Sequence, residues 1–455
     1  MVDAFMTKSV TSRRVGWSLV GLIASLIMAQ AIADSAWVYI GLLSIPFWVY
    51  LSLNRPFIFP FGLYALLIPF DSILSVSGSA QGTTATKILG ILSILTLLVK
   101  GSFENKLKKP NAAAVWWVVL VLYVFLTVSW AIDPALATTR VFSVIGLLTL
   151  YLAAVSYRFQ RHEYETIQYF ILAGGLLAGM MTIYNYVTGN VYQDISVRTS
   201  LIIGDREADP NLLAFDLLIP FSICALFMQT HASRLRKVLY AVVLTTLLFS
   251  IILTGSRGGL LGACAIVIVY VVLTRKRMTF VGFLVAAAMV ALYFLPTLYI
   301  DRVASSVETH GSGRTVIWET GISSLERYGL FGAGLDNFPR AFSEFVGYDT
   351  YREVGQDRAP HNILLGNFVE FGIIGLSLTI IVFMKHYQAL RFRVGRSFAA
   401  GIADRVNGGQ VMLTAAFWGV LVASMFLDTF WQKSFWLLWT MILINRNLLA
   451  RGQWI

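Results

Sequence analysis

Charged residues are scarce in this sequence. Asp, Glu, Lys and Arg make up 13% of the 455 residues, about half of the quarter that a soluble globular domain usually carries. Cysteine is nearly absent as well, because Cys224 and Cys264 are the only two and both fall inside apolar segments. The sequence therefore predicts neither a disulfide framework nor a cysteine metal site, and its composition is not that of a soluble domain.

Long apolar runs take the place of the missing charge. The chain is 57% hydrophobic with a mean hydropathy of +0.72, and a helix needs about 20 apolar residues to cross a hydrocarbon core. Fourteen runs are candidates, although two are short, so we predict 12–14 spans. The runs are residues 15–33, 37–53, 57–75, 86–100, 112–131, 141–157, 167–188, 211–229, 237–254, 258–273, 279–296, 362–383, 411–428 and 434–449.

The expected fold is therefore an all-α, polytopic transmembrane helical bundle. Residues 1–455 are predicted to form a single transmembrane domain, and residues 297–360 are the one polar stretch long enough to form a large helical loop, or lid, within it. Lys8, Arg13 and Arg14 precede the first run, as in a signal peptide. We expect an uncleaved span there instead, because the run is long and further spans follow it.

The net charge of +11 has a topological explanation. Eight groups of Lys and Arg, holding 23 of the 35 basic residues, fall on one side of the membrane if every predicted span is crossed in turn. The positive-inside rule makes that side cytoplasmic and places both termini inside. No nucleic-acid partner is needed to explain the charge. The groups are Lys8 to Arg14, Arg55, Lys100 to Lys109, Arg158 with Arg161, Arg234 to Lys237, Arg275 to Arg277, Lys385 to Arg405, and Arg446 with Arg451.

Twelve basic residues oppose this rule, and ten of them are arginines. The planar guanidinium fork matches phosphate and carboxylate oxygens two at a time, so an anionic ligand on the outer face is one interpretation. The other is charge balance, which we favour for Arg327, Arg340, Arg352 and Arg358, because residues 297–360 hold nine acidic residues against six arginines. The twelve are Lys87, Arg140, Arg198, Arg206, Arg257, Arg302, Arg314, Arg327, Arg340, Arg352, Arg358 and Lys433.

Arg257 lies in a glycine-rich external turn. The segment Thr254-Gly255-Ser256-Arg257-Gly258-Gly259 joins two predicted spans. Glycines here would let backbone amides and the arginine approach a bulky anion closely. A simple glycine hairpin with a snorkelling arginine is the structural alternative.

A second external segment, residues 190–211, carries two more candidates, Arg198 and Arg206. Its end, Asp209-Pro210-Asn211, is typical of a turn that caps the following helix. Capping explains Asp209 and Asn211, whereas neither arginine has such a structural role in the sequence pattern.

The third segment, Ala359-Pro360-His361-Asn362, opens the span that follows the lid. A proline before a histidine at a helix start restricts where the imidazole points, although a lone histidine is more often structural than catalytic. Within the lid, residues 313–328 are predicted to be amphipathic, with Val316, Ile317, Ile322 and Leu325 as an apolar stripe. Residues 332–338 are predicted to be a flexible turn.

The ordered set of these motifs resembles the O-antigen ligase and polymerase superfamily. The motifs are Arg198 with Asp209-Pro210-Asn211, Ser256-Arg257-Gly258-Gly259, Gly313-Arg314 with Trp318, Gly332-Ala333-Gly334 with Phe338, and His361-Asn362 with residues 370–375. The resemblance covers roughly residues 195–380, and earlier spans show only a compatible topology.

This resemblance implies glycosyl transfer on the periplasmic face of a bacterial inner membrane, with a GT-C-like architecture. The donor would be a glycan linked to undecaprenyl diphosphate, and the acceptor a sugar hydroxyl of the lipid A core. His361 and Arg257 would be catalytic, and Arg198 or Arg206, Arg314 and Asn211 would bind substrate. The spacing leaves open which of Arg198 and Arg206 corresponds to the family's arginine. No cofactor or metal is implied, and no DxD motif or external carboxylate cluster occurs.

Two alternatives remain. A polymerase of the same superfamily would transfer the glycan to another lipid-linked repeat unit instead of the lipid A core. A transporter or flippase would need ionisable residues along a pathway at mid-membrane depth. Most charges lie at span ends, but Asp216 and Glu370 lie inside spans.

Overall fold

The computed structural model describes residues 37–74, 84–191, 198–230, 233–274, 313–347, 358–391 and 400–453. The predicted spans at 15–33 and 279–296, together with Arg302, His310 and Arg352, lie outside these residues.

Within the described residues the chain forms sixteen α-helices and one two-stranded hairpin. The predicted all-α class is therefore confirmed. The helices are α1 (Trp37–Asn54), α2 (Phe61–Leu67), α3 (Ala85–Phe103), α4 (Ala112–Thr127), α5 (Pro134–Ser156), α6 (Arg161–Val187), α7 (Pro210–Asp216), α8 (Leu218–Thr230), α9 (Arg234–Leu253), α10 (Arg257–Leu273), α11 (Arg314–Ser323), α12 (Leu325–Tyr328), α13 (Phe338–Phe345), α14 (Ile363–Leu390), α15 (Ala400–Ser424) and α16 (Lys433–Ala450); the strands are β1 (Ile202–Ile203) and β2 (Arg206–Glu207).

Seven helical stretches in the described part of the chain are long and apolar enough to cross a membrane. Three shorter apolar helices accompany them: Phe61–Phe70, Arg257–Leu273 and Gly408–Ser424. The protein is thus a multi-pass membrane protein, as the sequence predicted. The count of 12–14 spans stays a prediction. The seven stretches are Ala85–Phe103, Ala112–Trp130, Pro134–Ser156, Arg161–Val187, Pro210–Thr230, Arg234–Leu253 and Ile363–Leu390.

Several of the basic groups that the sequence assigns to one side converge at one end of the bundle. The Lys108 backbone N–H donates to the Ser156 carbonyl at 3.0 Å, and the Arg451 guanidinium donates to the Phe159 carbonyl. Burial together with Arg451, Arg158 and Arg446 lowers the pKa of Lys108 to about 8. These helix ends lie together because antiparallel neighbours alternate direction, and their convergence is consistent with the predicted sidedness. The orientation in a membrane remains a prediction.

Helix α16 runs through the centre of the bundle. Its residues Ser434 to Asn445 are all buried, so neighbouring helices surround it on every side. Trp436 packs against Trp117 of α4 with ring centroids 4.2 Å apart, and Trp439 stacks on Phe383 of α14 at 5.2 Å. This burial sets the position of Lys433, the first residue of α16, at the opposite end from the basic groups.

The described part of the predicted lid, residues 313–347, has a small core of its own. Ile317, Phe338, Ala341 and Phe342 are buried together with Val369 of α14. Of the predicted apolar stripe, Ile317 is buried against the bundle, whereas the side chain of Ile322 is 59% exposed. A stripe that rests on the bundle or on the bilayer stays a prediction.

The predicted flexible turn at residues 332–338 is wrong, because this segment is fixed on both sides. Ala333 and Gly334 donate backbone hydrogen bonds to the carbonyls of Val369 and Glu370, at 2.8 and 2.9 Å. Asn337 is fully buried, and its side-chain oxygen accepts from the Asp133 backbone N–H at 2.6 Å. The glycines allow this segment to pack closely against its neighbours, since a Cβ on Gly334 would lie 2.4 Å from Ala131 Cβ. The segment therefore attaches the lid to α14 and to the start of α5.

Candidate active site

Arg198 joins two of the external segments that the sequence singled out. Its side chain is buried, its Nε donates to the Thr254 carbonyl at 3.0 Å, and its Nη2 donates to Asn211 Oδ1 at 2.8 Å. The Thr199 N–H also donates to the Leu253 carbonyl at 3.1 Å. The segment before α7 is thereby attached to the turn that precedes Arg257. The sequence had offered no structural role for Arg198, and these contacts provide one.

Arg257 is the first residue of α10. Ser256 caps this helix by accepting a hydrogen bond from the Gly259 N–H at 3.2 Å. A Cβ on Gly258 would lie 3.1 Å from Phe426 Cβ, and one on Gly259 would lie 2.5 Å from Ala214 Cβ. These two glycines are therefore used for helix packing, which differs from the predicted close approach of backbone to an anion. That packing fixes the start of α10, where Arg257 is half-buried.

His361 lies at the start of α14, directly before the helix cap. Asn362 Oδ1 accepts the backbone N–H groups of Leu364 and Leu365, both at 3.0 Å. His361 itself has a left-handed φ of +46°, which is uncommon for a residue with a side chain. On its other side, Trp318 of α11 donates its indole N–H to the Pro360 carbonyl at 3.1 Å. The lid thus holds the backbone that carries the imidazole.

The electrostatic surroundings keep His361 neutral at pH 7. Burial is the largest cause, and the positive charges of Arg314 and Arg358 add to it, while Asp209 acts in the opposite direction; together they lower the pKa of His361 to about 4. A neutral imidazole has one nitrogen without a proton, and that nitrogen can accept one, as a general base must. Arg314 and Asp209 also show that three separate segments meet at His361, since Arg358 lies in the same segment as the histidine.

An aromatic contact connects the His361 side of this region with the Arg257 side. Phe426, in the connection between α15 and α16, lies 6.4 Å from the Trp318 ring and covers Gly258. We refer to Arg198, Asn211, Arg257, Arg314 and His361 as the arginine–histidine cluster. Five of the six residues singled out from the sequence thus fall into one connected region.

Arg206 does not belong to this cluster. It lies on the exposed hairpin of β1 and β2, whose turn includes Gly204 with φ +58°. Its Nη1 donates to the Ile73 carbonyl at 3.0 Å. Of the two arginines that the sequence left open, the structure thus places only Arg198 in contact with Asn211 and with the turn before Arg257.

The charge-balance interpretation of the lid arginines holds for two of them. Arg327 lies 3.5 Å from Glu344, and Arg340 lies 3.2 Å from Asp133. Arg358 differs, because its charge acts on His361.

The two acids inside spans have protein partners. Asp216 accepts a hydrogen bond from the Ser434 hydroxyl at 2.5 Å, and Glu370 Oε1 accepts from the Phe338 N–H at 3.3 Å. Both therefore hold elements of the bundle together. Within the described residues, no group of three or more His, Cys, Asp and Glu could hold a metal ion.

A second polar centre, which the sequence did not predict, lies close to Asp216. Asp71, which follows α2, pairs with Lys433 at 2.5 Å and accepts a hydrogen bond from Thr86. Lys433 also donates to Thr86 at 2.7 Å. The only sequence signal was the presence of Lys433 among the external basic residues. This polar centre forms one wall of a cavity of 790 Å³ between α3 and α5.

Comparison with known families gives one match. The family model described as O-antigen ligase matches residues 240–380, and this stretch contains Arg257, Arg314 and His361 but ends short of Arg198 and Asn211 on its N-terminal side. No curated protein matches the chain.

Proposed function

Since the chain belongs to the O-antigen ligase/polymerase superfamily, we propose that it is an O-antigen ligase. In this proposal it transfers a glycan from undecaprenyl diphosphate to a sugar hydroxyl of the lipid A core, on the periplasmic face of the bacterial inner membrane. The observation that carries the proposal is the convergence of Arg198, Arg257, Arg314 and His361, from four separate segments, at the end of the bundle away from the basic groups.

The arginines are the proposed binding site for the donor's diphosphate. Breaking the bond between the anomeric carbon and the diphosphate moves an electron pair, and with it negative charge, onto the leaving oxygen. Guanidinium groups fixed in advance stabilise such charge without reorganising during the reaction. Arg198 is fixed by Asn211 and the Thr254 carbonyl, and Arg257 is fixed by its position at the start of α10. In this proposal the arginines provide the positive charge, so no metal is invoked.

His361 is the proposed general base. The acceptor hydroxyl attacks the anomeric carbon, a new C–O bond forms, and the hydroxyl proton passes to an imidazole nitrogen. The low pKa of His361 leaves the base unprotonated before substrate binds. The bound diphosphate then offsets the charges of Arg314 and Arg358, which raises the pKa of His361 when a proton must be accepted. With one base and no carboxylate nucleophile, a single displacement inverts the anomeric configuration, by analogy with glycosidases.

Purified protein in lipid nanodiscs, supplied with lipid-linked glycan and rough lipopolysaccharide, tests this proposal. We expect His361→Ala to reduce transfer by roughly 10²–10⁴-fold, the usual contribution of general acid–base catalysis, and Arg257→Ala by about 10²–10³-fold. Arg327→Ala is the matched control, because Arg327 is an exposed arginine of the lid that pairs with Glu344. Full transfer by His361→Ala at wild-type expression would overturn the proposal, and His361→Gln checks that loss of activity is not loss of folding.

A deletion strain distinguishes a ligase from a polymerase of the same superfamily. Loss of the proposed ligase leaves a bare lipid A core while polymerised glycan accumulates on its lipid carrier. Cores capped by a single repeat unit would instead identify a polymerase.

A further inference from the structure

The cavity between α3 and α5 is separate from the arginine–histidine cluster. Its volume of 790 Å³ lies within the range of about 300–1,000 Å³ that ligand pockets occupy. Its lining comes from α3, α5, the start of α16 and the loop residues Asp71 and Asp336, and includes no member of the cluster. A transfer between two lipid-linked substrates needs a binding site for each of them, and this cavity is a candidate for the second site.

One part of the cavity is polar and carries both signs of charge. Asp71 and Lys433 pair with each other in its wall. Arg140 forms an ion pair with Asp336, with 3.7 Å between Nε and Oδ1, and its buried Nε makes no hydrogen bond within the described residues. Lys87 lies on the rim. Buried guanidinium donors usually have partners, so Arg140 is suited to receive an anionic group.

The other part of the cavity is apolar and opens onto the outer surface of the bundle. Ile91 of α3 is 60% exposed and Phe142 of α5 is 73% exposed, and both line the cavity. Gly146 of α5 also lines the cavity, and a Cβ there would meet no atom within 4 Å. Because α3 and α5 are both long and apolar enough to span a membrane, this mouth faces the region where hydrocarbon chains lie.

One short connection links the cavity to the arginine–histidine cluster. Residues 425–432 run from α15 to α16. Phe426 covers Gly258, which follows Arg257, and contacts Trp318, which holds the Pro360 carbonyl. Trp431 and Gln432 line the cavity. The two regions are thus neighbours, separated by a few residues of one loop.

We propose that this cavity binds the acceptor as a phosphorylated glycolipid. Arg140 and Lys87 bind its phosphate. The Asp336 carboxylate accepts hydrogen bonds from its sugar hydroxyls, and the Gln432 amide both donates to them and accepts from them. Its acyl chains pass between Ile91 and Phe142 into the bilayer. This inference rests on the proposed function.

The acceptor fits better than the donor because of where each substrate reacts. The donor's diphosphate is attached to the reacting carbon, so it must lie at the arginine–histidine cluster. The acceptor's phosphates are on its lipid anchor, several sugars away from the hydroxyl that attacks. An anchoring site without His361 therefore corresponds to the acceptor.

Binding without turnover tests the inference independently of the transfer reaction. The full-length protein in nanodiscs is titrated with rough lipopolysaccharide, with undecaprenyl diphosphate, and with a zwitterionic phospholipid as the neutral probe. Gly146→Phe fills the open space beside α5, and Ile145→Phe, at the neighbouring outward position that is 41% exposed, is the matched control. We expect Gly146→Phe and Arg140→Ala to raise the Kd for rough lipopolysaccharide by at least roughly tenfold, while Ile145→Phe leaves it unchanged.

The kinetic counterpart is a split between the two Michaelis constants. Gly146→Phe should raise KM for the glycolipid acceptor by about tenfold and leave KM for the donor and kcat unchanged. A selective rise in the donor KM, or loss of undecaprenyl diphosphate binding alone, would assign the cavity to the donor and overturn the inference. Equal binding of all three lipids would also overturn the inference. So would an absence of any effect of Gly146→Phe, since that result would indicate that a segment of this chain fills the space. If wild-type protein binds rough lipopolysaccharide through this cavity but transfers nothing, the proposed function fails while the binding site stands.

Discussion

Arg198 and Asn211, thirteen positions apart in the chain, are joined by a hydrogen bond of 2.8 Å from the guanidinium Nη2 to the amide oxygen. The same guanidinium holds the Thr254 carbonyl, two residues before the cap of α10. Arg198 therefore has two functions in the proposed site. It holds the start of α7 to the turn that contains Arg257, and we propose that it also binds the donor's diphosphate.

Removing Asn211 should impair the site by releasing Arg198. Asn211→Ala leaves a buried guanidinium nitrogen without its partner, at a cost of about 1–3 kcal/mol, and we expect kcat/KM for transfer to fall by roughly 10–100-fold. Arg198→Lys cannot hold both acceptors at once and should have a similar effect. Because both variants break the same connection, the double variant should lose less than the product of the two. Fully multiplicative losses would contradict the coupling, and Arg206→Ala, on the exposed hairpin, is the control.

The pH dependence of transfer should follow His361 and respond to Arg314. The neutral imidazole is the active form, and its pKa of about 4 keeps the free enzyme active until the pH approaches that value from above. The profile of kcat/KM should therefore be level near neutral pH and decline towards pH 4. Arg314→Ala removes a positive charge that lowers this pKa, so its decline should begin at a higher pH. An unchanged inflection in Arg314→Ala would mean that the profile reports another group.

The hydrogen bond from Trp318 to the Pro360 carbonyl should affect activity more than stability. Trp318→Phe keeps most of the aromatic packing but removes the indole donor, whose bond is 3.1 Å long. His361 then loses one constraint on its left-handed backbone, and we expect kcat to fall by several-fold with little change in donor KM. Tyr328→Phe is the control, since it removes a hydrogen bond to Glu344 elsewhere in the lid. Equal effects of the two variants would show that lid stability, and not His361 position, is responsible.

The glycines after Arg257 should be intolerant of even a methyl group. In Gly259→Ala the new Cβ would lie 2.5 Å from Ala214 Cβ, so α7 and α10 must separate. Such overpacking costs about 1–3 kcal/mol, and thermal unfolding in detergent should detect it. Gly146→Ala has open space around its Cβ and should be neutral or stabilise the helix by about 0.5–1 kcal/mol. Equal unfolding temperatures for the two variants would contradict the packing argument.

Much of the bundle could be predicted from the sequence because a membrane imposes simple rules on a chain. Apolar run lengths identify helices such as α4 and α6, and the spacing of basic residues indicates which ends lie together. The convergence at Lys108 and Arg451 follows from that alternation. The ordered motifs around Arg257, Arg314 and His361 were visible for another reason, because together they resemble a known family.

Other features depend on contacts that no local pattern encodes. Asp71 and Lys433 are more than 350 positions apart in the chain, and nothing near either residue predicts their pairing. The glycines of residues 332–338 suggested flexibility, yet they permit close contact with Glu370 and Ala131. Whether a glycine permits motion or close packing is decided by its neighbours in space, which the sequence alone does not identify.

The central position of α16 has a consequence for how the bundle is assembled. Every other described helix precedes α16 in the chain, so a ribosome delivers them to the membrane first. Until α16 inserts, Trp117 and Phe383 have an unfilled space between them, and Asp71 lacks its cation. An early bundle must therefore remain open long enough to admit a helix that carries a lysine at its leading end. The pairing of Lys433 with Asp71 is then one of the last contacts to form in the bundle.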